Sequence, residues 1–244
     1  MTTTKGIDVS DWNPFLAALR ALLGRRAFVI AKASQGTGYR ASHFRANIRF
    51  ARALGKVTGA YHFGDAADGA AQARHFLDTI RAAGFNPASL LLFLDLEHNT
   101  GPGGDMTEAG ARAFLAEVKA EGYEATSGLY YGASRGRTDL GQRLHWIASY
   151  GARPTFLRQA DFWQSGGSGI DQDEFEGSPA DLRAIIQRMR RVWWVTLEVA
   201  GEQPAAKGPY RTRAGAEVIA TWWRLSRNSG HGRRTTVTYE WVKA

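Results

Sequence analysis

The 244-residue chain contains no cysteine, and no hydrophobic run approaches the length of a membrane-spanning helix. The missing cysteine excludes disulfide bonds and thiolate metal sites. The missing hydrophobic run argues against insertion into a membrane. The first residues, MTTTK, also lack the apolar segment of a signal peptide. We therefore expect that the protein needs some route other than a classical leader if it works outside a cell.

Charge is unevenly distributed along the chain, whose net charge is +8. Residues 1–187 contain 20 Lys and Arg against 19 Asp and Glu, whereas residues 188–244 contain 11 against 4, a balance of +7. Five of the eight tryptophans also lie after residue 187. This asymmetry predicts two domains, 1–187 and 188–244, of which the second meets something anionic.

The stretch from Leu90 to Asn99, LLLFLDLEHN, combines a buried strand with two acids. Its run of large apolar residues is typical of a strand covered on both faces in a parallel sheet. Asp95 and Glu97 lie two residues apart, share a face of the strand, and lead into a glycine-rich loop. A pair neutralised by nearby Arg or Lys is the alternative. The position at a strand end, where barrel enzymes carry their chemistry, favours a catalytic pair.

Strands and helices alternate through the first half of residues 1–187. Apolar runs predict strands at 5–9, 27–33, 57–63, 127–132, 145–150, 161–164 and around 170–171. Helical spacing predicts helices at 44–54, 69–83, about 105–121 and about 180–190. Asp105 and Glu108 have the spacing of a capping box. The alternation predicts an α/β fold of parallel βαβ units, with an irregular second half where helices are few.

Eight short blocks in this region are KGIDVS, FVIAKAS, GAYHF, LDLE, GLY, WIASY, WQ and GIDQDEF. In type and order they resemble glycoside hydrolase family 25, the Chalaropsis-type lysozymes or N-acetylmuramidases. The resemblance covers about residues 4–187. It implies an irregular, flattened, TIM-like (β/α) barrel that cleaves the β-1,4 bond between N-acetylmuramic acid and N-acetylglucosamine in bacterial peptidoglycan.

The resemblance also implies roles for individual residues. Glu97 is the general acid and Asp95 its partner, with Asp8 and Asp171 as the other acids of the pocket. Two positions depart from the family pattern, Gln35 where Glu is usual and Asp173 where Asn is common, and we expect both to tune the pocket. The implied sugar-binding rim consists of Lys32, Tyr61, Tyr130, Trp146, Tyr150 and Gln164.

The chemistry of glycoside hydrolysis fits this set, since it needs one protonated carboxyl group and a second charge beside the reacting carbon. Crowded carboxylates in an apolar pocket keep one acid protonated near neutral pH. Two routes stay open: the 2-acetamido group of the substrate as nucleophile, oriented by Asp95, or an inverting reaction. We expect no cofactor and no metal ion, since His62, His98 and His145 lie in different segments without ligand spacing.

The tail from residue 188 lies outside the resemblance. Its pattern predicts a small α+β module, with strands at 192–199 and 235–242, a loop at 201–209 and a helix at 213–227. The module is either a scaffold that packs its own tryptophans or a cell-wall binding unit, whose cations meet anionic polymers and whose aromatic rings stack on sugars. Nucleic-acid binding is a rival interpretation, but nothing in the catalytic region calls for it.

The resulting hypothesis is a phage endolysin, made in the host cytoplasm and released to the wall through a phage-encoded pore. A bacterial autolysin is one alternative. A non-catalytic wall-binding protein on the same fold is another, which the four intact acids disfavour.

Overall fold

The computed structural model describes residues 2–13, 20–101, 103–167, 169–187, 189–199, 205–210, 217 and 233–243. The chain divides into two compact units, Met1–Gln187 and Arg188–Ala244. The helices of the first unit are α1 (Arg20–Leu23), α2 (Phe44–Ala53), α3 (Gly69–Ala82), α4 (Glu108–Ala120) and α5 (Pro179–Gln187). Its strands are β1 (Thr3–Val9), β2 (Phe28–Gln35), β3 (Tyr39–Arg40), β4 (Val57–Phe63), β5 (Leu91–Asp95), β6 (Ser127–Gly132), β7 (Leu144–Ala148), β8 (Phe162–Gly167) and β9 (Asp171–Glu176).

Eight of these strands close into a barrel. Their order is β1-β9-β8-β7-β6-β5-β4-β2, and β2 pairs again with β1, while β3 is a short extension at the edge of β2. The seven strands from β1 to β8 in the barrel run parallel, and β9 runs antiparallel to both of its neighbours. The predicted α/β barrel with an irregular second half is therefore confirmed.

Large apolar side chains fill the barrel, because the interior of an eight-stranded barrel is just wide enough to be packed by side chains. Phe28 and Phe162 meet edge to face with ring centroids 5.5 Å apart, and Phe93 lies against Phe162 at 5.3 Å. The interior leaves no room for side chains at some neighbouring positions. A Cβ atom at Gly6 would overlap the ring of Phe28, and one at Gly128 would overlap that of Phe93.

The helices cover the barrel with the faces that their spacing predicts. In α3 the buried residues include Ala73, Phe76, Leu77 and Ile80, and Asp68 caps the helix by accepting a hydrogen bond from the amide of Ala71 (2.7 Å). Among the described residues, no helix is both long enough and apolar enough to span a membrane.

The predicted capping box at Asp105 is wrong. Thr107 caps α4, and its hydroxyl accepts a hydrogen bond from the amide of Gly110 (3.1 Å). Asp105 instead accepts hydrogen bonds from His98 and from the amide of Asn99, so it closes the loop after β5. A side chain already used by the loop cannot also cap the helix.

In the second unit three strands form an antiparallel sheet in the order β11-β10-β12, with bounds Met189–Val199 (β10), Ala205–Tyr210 (β11) and Arg233–Lys243 (β12). The two predicted strands fall within β10 and β12. Two features differ from prediction. Helix α5 ends at Gln187, earlier than predicted, and β10 begins at Met189. Part of the predicted loop at 201–209 is the strand β11, which pairs with β10. Apart from residue 217, the predicted helix at 213–227 lies outside the described residues.

Candidate active site

The carboxyl ends of the parallel strands meet at one end of the barrel, where barrel enzymes place their catalytic groups. Asp95 ends β5 and is paired with Tyr130 of β6, which is paired in turn with Trp146 of β7. Because β9 runs the opposite way, it contributes its first residue, Asp171, to the same end, opposite Asp8 of β1.

A cavity of about 120 Å³ opens at this end. It contains nine of the ten residues that the sequence predicts for the site, and Lys32 is the exception. The predicted roles of these residues remain predictions, but their convergence from seven strands and two loops is a fact of the structure. The lining consists of Asp8, Tyr61, Asp95, Glu97, Tyr130, Trp146, Tyr150, Gln164 and Asp171.

Burial raises the pKa of Asp8 and of Asp95, which are only 5% and 6% exposed. The pKa of Asp8 rises to about 7, because burial and the charge of Asp171 outweigh the hydrogen bond from Gln164. The pKa of Asp95 rises well above its usual range through burial and the charge of Glu97. One oxygen of Asp95, Oδ1, has no hydrogen-bond partner among the described residues.

Glu97 lies just beyond β5, on the more exposed side of the cavity. Its pKa is raised, with burial of the carboxyl as the largest cause, the charge of Lys32 acting in the opposite direction, and the charge of Asp171 adding to the rise. Burial also raises the pKa of Asp171. A carboxyl with a raised pKa at the open side of a cavity is suited to give a proton to a bound molecule.

Lys32 stands beside the cavity and acts on it through charge. Its ammonium lowers the pKa of both Asp95 and Glu97. Nζ donates a hydrogen bond to Gln35 Oε1 (2.8 Å) and lies 4.7 Å from the centroid of the Phe63 ring. Since glutamine is neutral, the positive charge of Lys32 stays available to the two acids.

A hydrogen-bond network fixes the opposite wall. Gln164 Nε2 donates to Asp8 Oδ2 (2.8 Å). Gln164 Oε1 accepts from the hydroxyls of Tyr130 (2.8 Å) and Tyr150 (2.9 Å). Because an ionised Asp8 can only accept, the amide N–H points at Asp8 and the amide oxygen faces the two tyrosine hydroxyls, which donate to it.

The loop after β5 holds Glu97 in place. Asp105 accepts from the backbone amide of Asn99 (2.8 Å) and from His98 Nδ1 (3.0 Å), and these contacts lower its pKa. The side-chain amide of the buried Asn99 donates through Nδ2 to the backbone carbonyl of Gly104 (3.0 Å). Tied at both ends, the loop limits the positions that Glu97 can adopt.

Comparison with known proteins decides the family. The sequence profile described as Glycosyl hydrolases family 25 matches residues 7–173. The chain belongs to glycosyl hydrolase family 25. It is 29% identical over 210 residues to Lysozyme M1 of Streptomyces globisporus, covering 74% of this chain and 70% of that protein.

Solved structures agree with this assignment. The muramidase from Acremonium alcalophilum is 26% identical, with a TM-score of 0.60 over 75% of this chain and 98% of that one. The CTP1L endolysin is 29% identical, with a TM-score of 0.58 over 77% and 71% of the two chains. The predicted resemblance to family 25 is confirmed, and the protein is a glycoside hydrolase.

A groove of about 560 Å³ continues from the cavity of this family 25 hydrolase. The two spaces share Glu97, Tyr130 and Tyr150, so the candidate acid lies where they join. His98 and Arg135 lie further along the groove. Tyr150 is 66% exposed although its hydroxyl is hydrogen-bonded, so it offers a ring face to a ligand.

Asp173, which the sequence analysis noted as a departure from the family pattern and expected to tune the pocket, lies behind the cavity lining, against Trp146. Its side chain is 1% exposed, and Trp146 Nε1 donates to its Oδ1 (2.9 Å). The signal was present in the alternation of β9, because Asp173 lies between Asp171 and the buried Phe175 on the same face. The weak apolar character of this strand concealed that alternation.

The three histidines considered as metal ligands lie in separate environments. His62 is buried between Ser34 (2.8 Å) and Gln72 (3.1 Å), and burial lowers its pKa to about 3. His145 contacts Tyr131, and His98 belongs to the loop after β5. Within the described part of the chain, no group of three or more His, Cys, Asp and Glu side chains could hold a metal ion.

Proposed function

We propose that this hydrolase is an N-acetylmuramidase that cleaves the β-1,4 bond between N-acetylmuramic acid and N-acetylglucosamine of bacterial peptidoglycan. The single observation that carries the proposal is the convergence of four carboxyl groups on a cavity rimmed by tyrosines, a tryptophan and a glutamine. Carboxyl groups supply the acid and charge that glycoside hydrolysis needs, and aromatic rings and amides bind sugars. Relatives named lysozyme and muramidase support the same substrate.

Glu97 is the general acid in this proposal. Its raised pKa keeps a proton available, and its position where cavity and groove join brings it to a glycosidic oxygen of a polymer that crosses both spaces. Loss of the proton to the leaving oxygen creates the negative charge that Lys32 is placed to stabilise.

Asp95 supplies the second function. Its Oδ1 has no partner among the described residues and is free to accept a hydrogen bond from substrate, either the N–H of a 2-acetamido group or a water molecule. The first choice corresponds to substrate-assisted retention and the second to inversion. Asp8 and Asp171 bind and polarise the sugar from the opposite wall, together with Gln164.

Mass spectrometry of digested peptidoglycan tests this function. Purified sacculi are incubated with the protein, and the released fragments are reduced with borohydride. Muramitol at the new ends supports an N-acetylmuramidase, whereas glucosaminitol would identify cleavage of the other glycosidic bond. The Glu97→Gln protein, prepared and assayed in parallel, controls for contaminating hydrolases. Binding to sacculi without any released fragment would favour the non-catalytic alternative.

We further propose an endolysin role, which an endolysin among the similar structures supports, while other relatives are named lysozymes or muramidases. The test is expression in the cytoplasm of a susceptible bacterium with and without a separate pore-forming protein. Lysis only with the pore supports an endolysin that depends on a phage-encoded pore. Lysis without it would indicate that the protein reaches the wall by itself, as an autolysin must.

The proposed role of residues 188–244 is attachment to anionic wall polymers. The +7 balance of this segment supports electrostatic binding, which salt screens over about 8–10 Å at physiological ionic strength. A chain ending at Gln187 should bind sacculi less tightly and respond less to salt, yet cleave soluble glycan fragments at the parental rate. Thermal unfolding of both proteins controls for a fold damaged by truncation. Equal binding by a well-folded short protein at low and high salt would remove this role.

A further inference from the structure

Two buried carboxyl groups lie on one face of the sheet formed by β1 and β9. Asp8 on β1 and Asp173 on β9 are 5% and 1% exposed, and they are diagonal neighbours in the register that sets Asp8 opposite Asp171 and Gly6 opposite Asp173. Two ionised carboxylates have only acceptor oxygens, so a hydrogen bond between these neighbours requires a proton on one of them.

The surrounding donors indicate which group is protonated. Asp8 Oδ2 accepts an N–H from Gln164 (2.8 Å), and this bond stabilises negative charge on Asp8. Asp173 Oδ1 accepts from Trp146 (2.9 Å), but its Oδ2 is buried and receives no donor from the described residues. An ionised Asp173 would leave that oxygen without a hydrogen bond in an apolar interior, which is costly. A protonated Asp173 uses it to donate to Asp8.

The charges around the pair act in the same direction. The charges of Asp8 and Asp171 raise the pKa of Asp173. The charges of Asp171 and Glu97 raise the pKa of Asp8. All are acidic, and the neighbouring groups on β7 and β8 are a neutral tryptophan and a neutral glutamine. Together with burial, these charges raise the pKa of Asp173 well above its usual range.

We propose that Asp173 is a positioning residue that stays protonated at neutral pH and donates a hydrogen bond to Asp8, which holds the charged Asp8 carboxylate against Gln164. This inference rests on the proposed function for its catalytic consequence. Through Gln164, the position of Asp8 is coupled to Tyr130 and Tyr150 on the rim, since both hydroxyls donate to the same amide. Loss of the Asp173 proton would set two carboxylates against each other and loosen this wall of the cavity.

Carbon-13 NMR of the full chain, labelled at aspartate Cγ, tests the protonation state directly. A neutral carboxylic acid signal at neutral pH should be missing from the Asp173→Asn protein, whereas any neutral signal from Asp95 or Asp8 should remain. If Asp173→Asn does not fold, Asp8→Asn provides a second assignment, because removing the neighbouring charge should let the Asp173 signal titrate at lower pH. Absence of a neutral aspartate signal that responds to either substitution would overturn the proposal.

A matched pair of variants tests the donor function. Asn at position 173 can accept from Trp146 through its oxygen and donate to Asp8 through its nitrogen, whereas Leu has a similar size and can do neither. On soluble peptidoglycan fragments, Asp173→Asn should keep kcat within about threefold and Asp173→Leu should lose more than about tenfold, as removal of a hydrogen bond to a charged group predicts. A kcat equally low in both folded variants would contradict a role as donor.

The two readouts separate this inference from the proposed function. A neutral Asp173 in a protein that releases no fragments from peptidoglycan would contradict the muramidase proposal and leave the carboxyl pair established. Muramitol-ended fragments from a protein with an ionised Asp173 would support the muramidase proposal and contradict the proposed role of Asp173.

Discussion

The two ends of the barrel treat buried acids in opposite ways. At the amino ends of the parallel strands, Asp161 is 3% exposed and accepts hydrogen bonds from Arg137 at 2.6 and 3.2 Å and from the amide of Arg158 at 2.7 Å. At the carboxyl ends, Asp95 is also buried, at 6% exposed, but has an oxygen without a partner among the described residues. Burial alone therefore does not distinguish Asp161 from the candidate catalytic Asp95, whereas an arginine counterion does.

Glu176 extends the same contrast. It ends the antiparallel strand β9, at the opposite end from Asp171, and accepts from Arg153 Nε (3.1 Å). A single strand thus begins with an acid in the cavity and ends with an acid neutralised by arginine. Asp161 and Glu176 each have an arginine counterion, whereas in the cavity Asp8 accepts from a neutral glutamine and Asp95 Oδ1 has no partner among the described residues.

Replacement of the candidate acid should give the largest effect. Glu97→Gln keeps the shape of the side chain but cannot give a proton, and loss of general acid catalysis reduces rates by roughly 10²–10⁴-fold. The rate of turbidity loss of a bacterial wall suspension measures the change, and circular dichroism checks the fold. Clearing at more than about a tenth of the parental rate would exclude Glu97 as the acid.

Asp95→Asn should be severely impaired as well, because it removes the charge that orients or stabilises the reacting centre. Greater loss in Asp8→Asn than in Asp95→Asn would reverse the ranking of the two acids.

Removal of a buried acid that lacks a cationic partner should stabilise the fold where that acid is ionised, and Asp8 provides the test. Its pKa is about 7 in the folded protein and 3.8 in the reference state, so folding binds protons between these values. Its favourable contribution is complete below pH 3.8 and is lost as the pH rises through about 7. Asp8→Asn cannot titrate and should be more stable than the parent at mildly alkaline pH, by at most about 4 kcal/mol.

Urea unfolding at acid and mildly alkaline pH measures this difference. The advantage of Asp8→Asn should shrink toward zero as the pH falls to that of a free aspartate. A stability difference that does not change with pH would show that Asp8 does not titrate in the folded protein at the raised value.

Replacement of Asp161, at the other end of the barrel, should destabilise the fold instead of stabilising it. Asp161→Asn leaves Arg137 without its counterion and should lower the free energy of unfolding by about 1–3 kcal/mol, below the full cost of breaking a buried pair because Arg137 is partly exposed. Its specific activity should stay at the parental value in the folded population. Lost activity without lost stability would place Asp161 in the functional machinery and weaken the contrast.

The sequence could predict the acids but not their partners, for a physical reason. Strand alternation and strand ends are local properties, so the positions of Asp95 and Glu97 and the alternation of strands with helices were accessible from the pattern. Whether a buried acid is paired depends on contacts between distant segments, such as Arg137 with Asp161 or Trp146 with Asp173. The cap at Thr107 was missed for a related reason, since Asp105 is used by a loop contact that helix spacing does not reveal.

The smallest effect is expected at Gln35, the hydrogen-bond partner of the lysine beside the cavity. Lys32 donates to the neutral Gln35 (2.8 Å) and lowers the pKa of Asp95 and Glu97. In Gln35→Glu a carboxylate pairs with the Lys32 ammonium. The charge of Lys32 then stabilises the ionised form of Glu97 less, and the pKa of Glu97 rises further. The general acid then stays protonated to higher pH, and the alkaline limb of kcat/KM should move upward by about 0.3–0.5 pH unit. Gln35→Leu, which removes the hydrogen bond without adding charge, is the matched control and should not move the limb upward. An upward shift of the same size in both variants would mean that packing around Lys32, and not its charge, controls the acid.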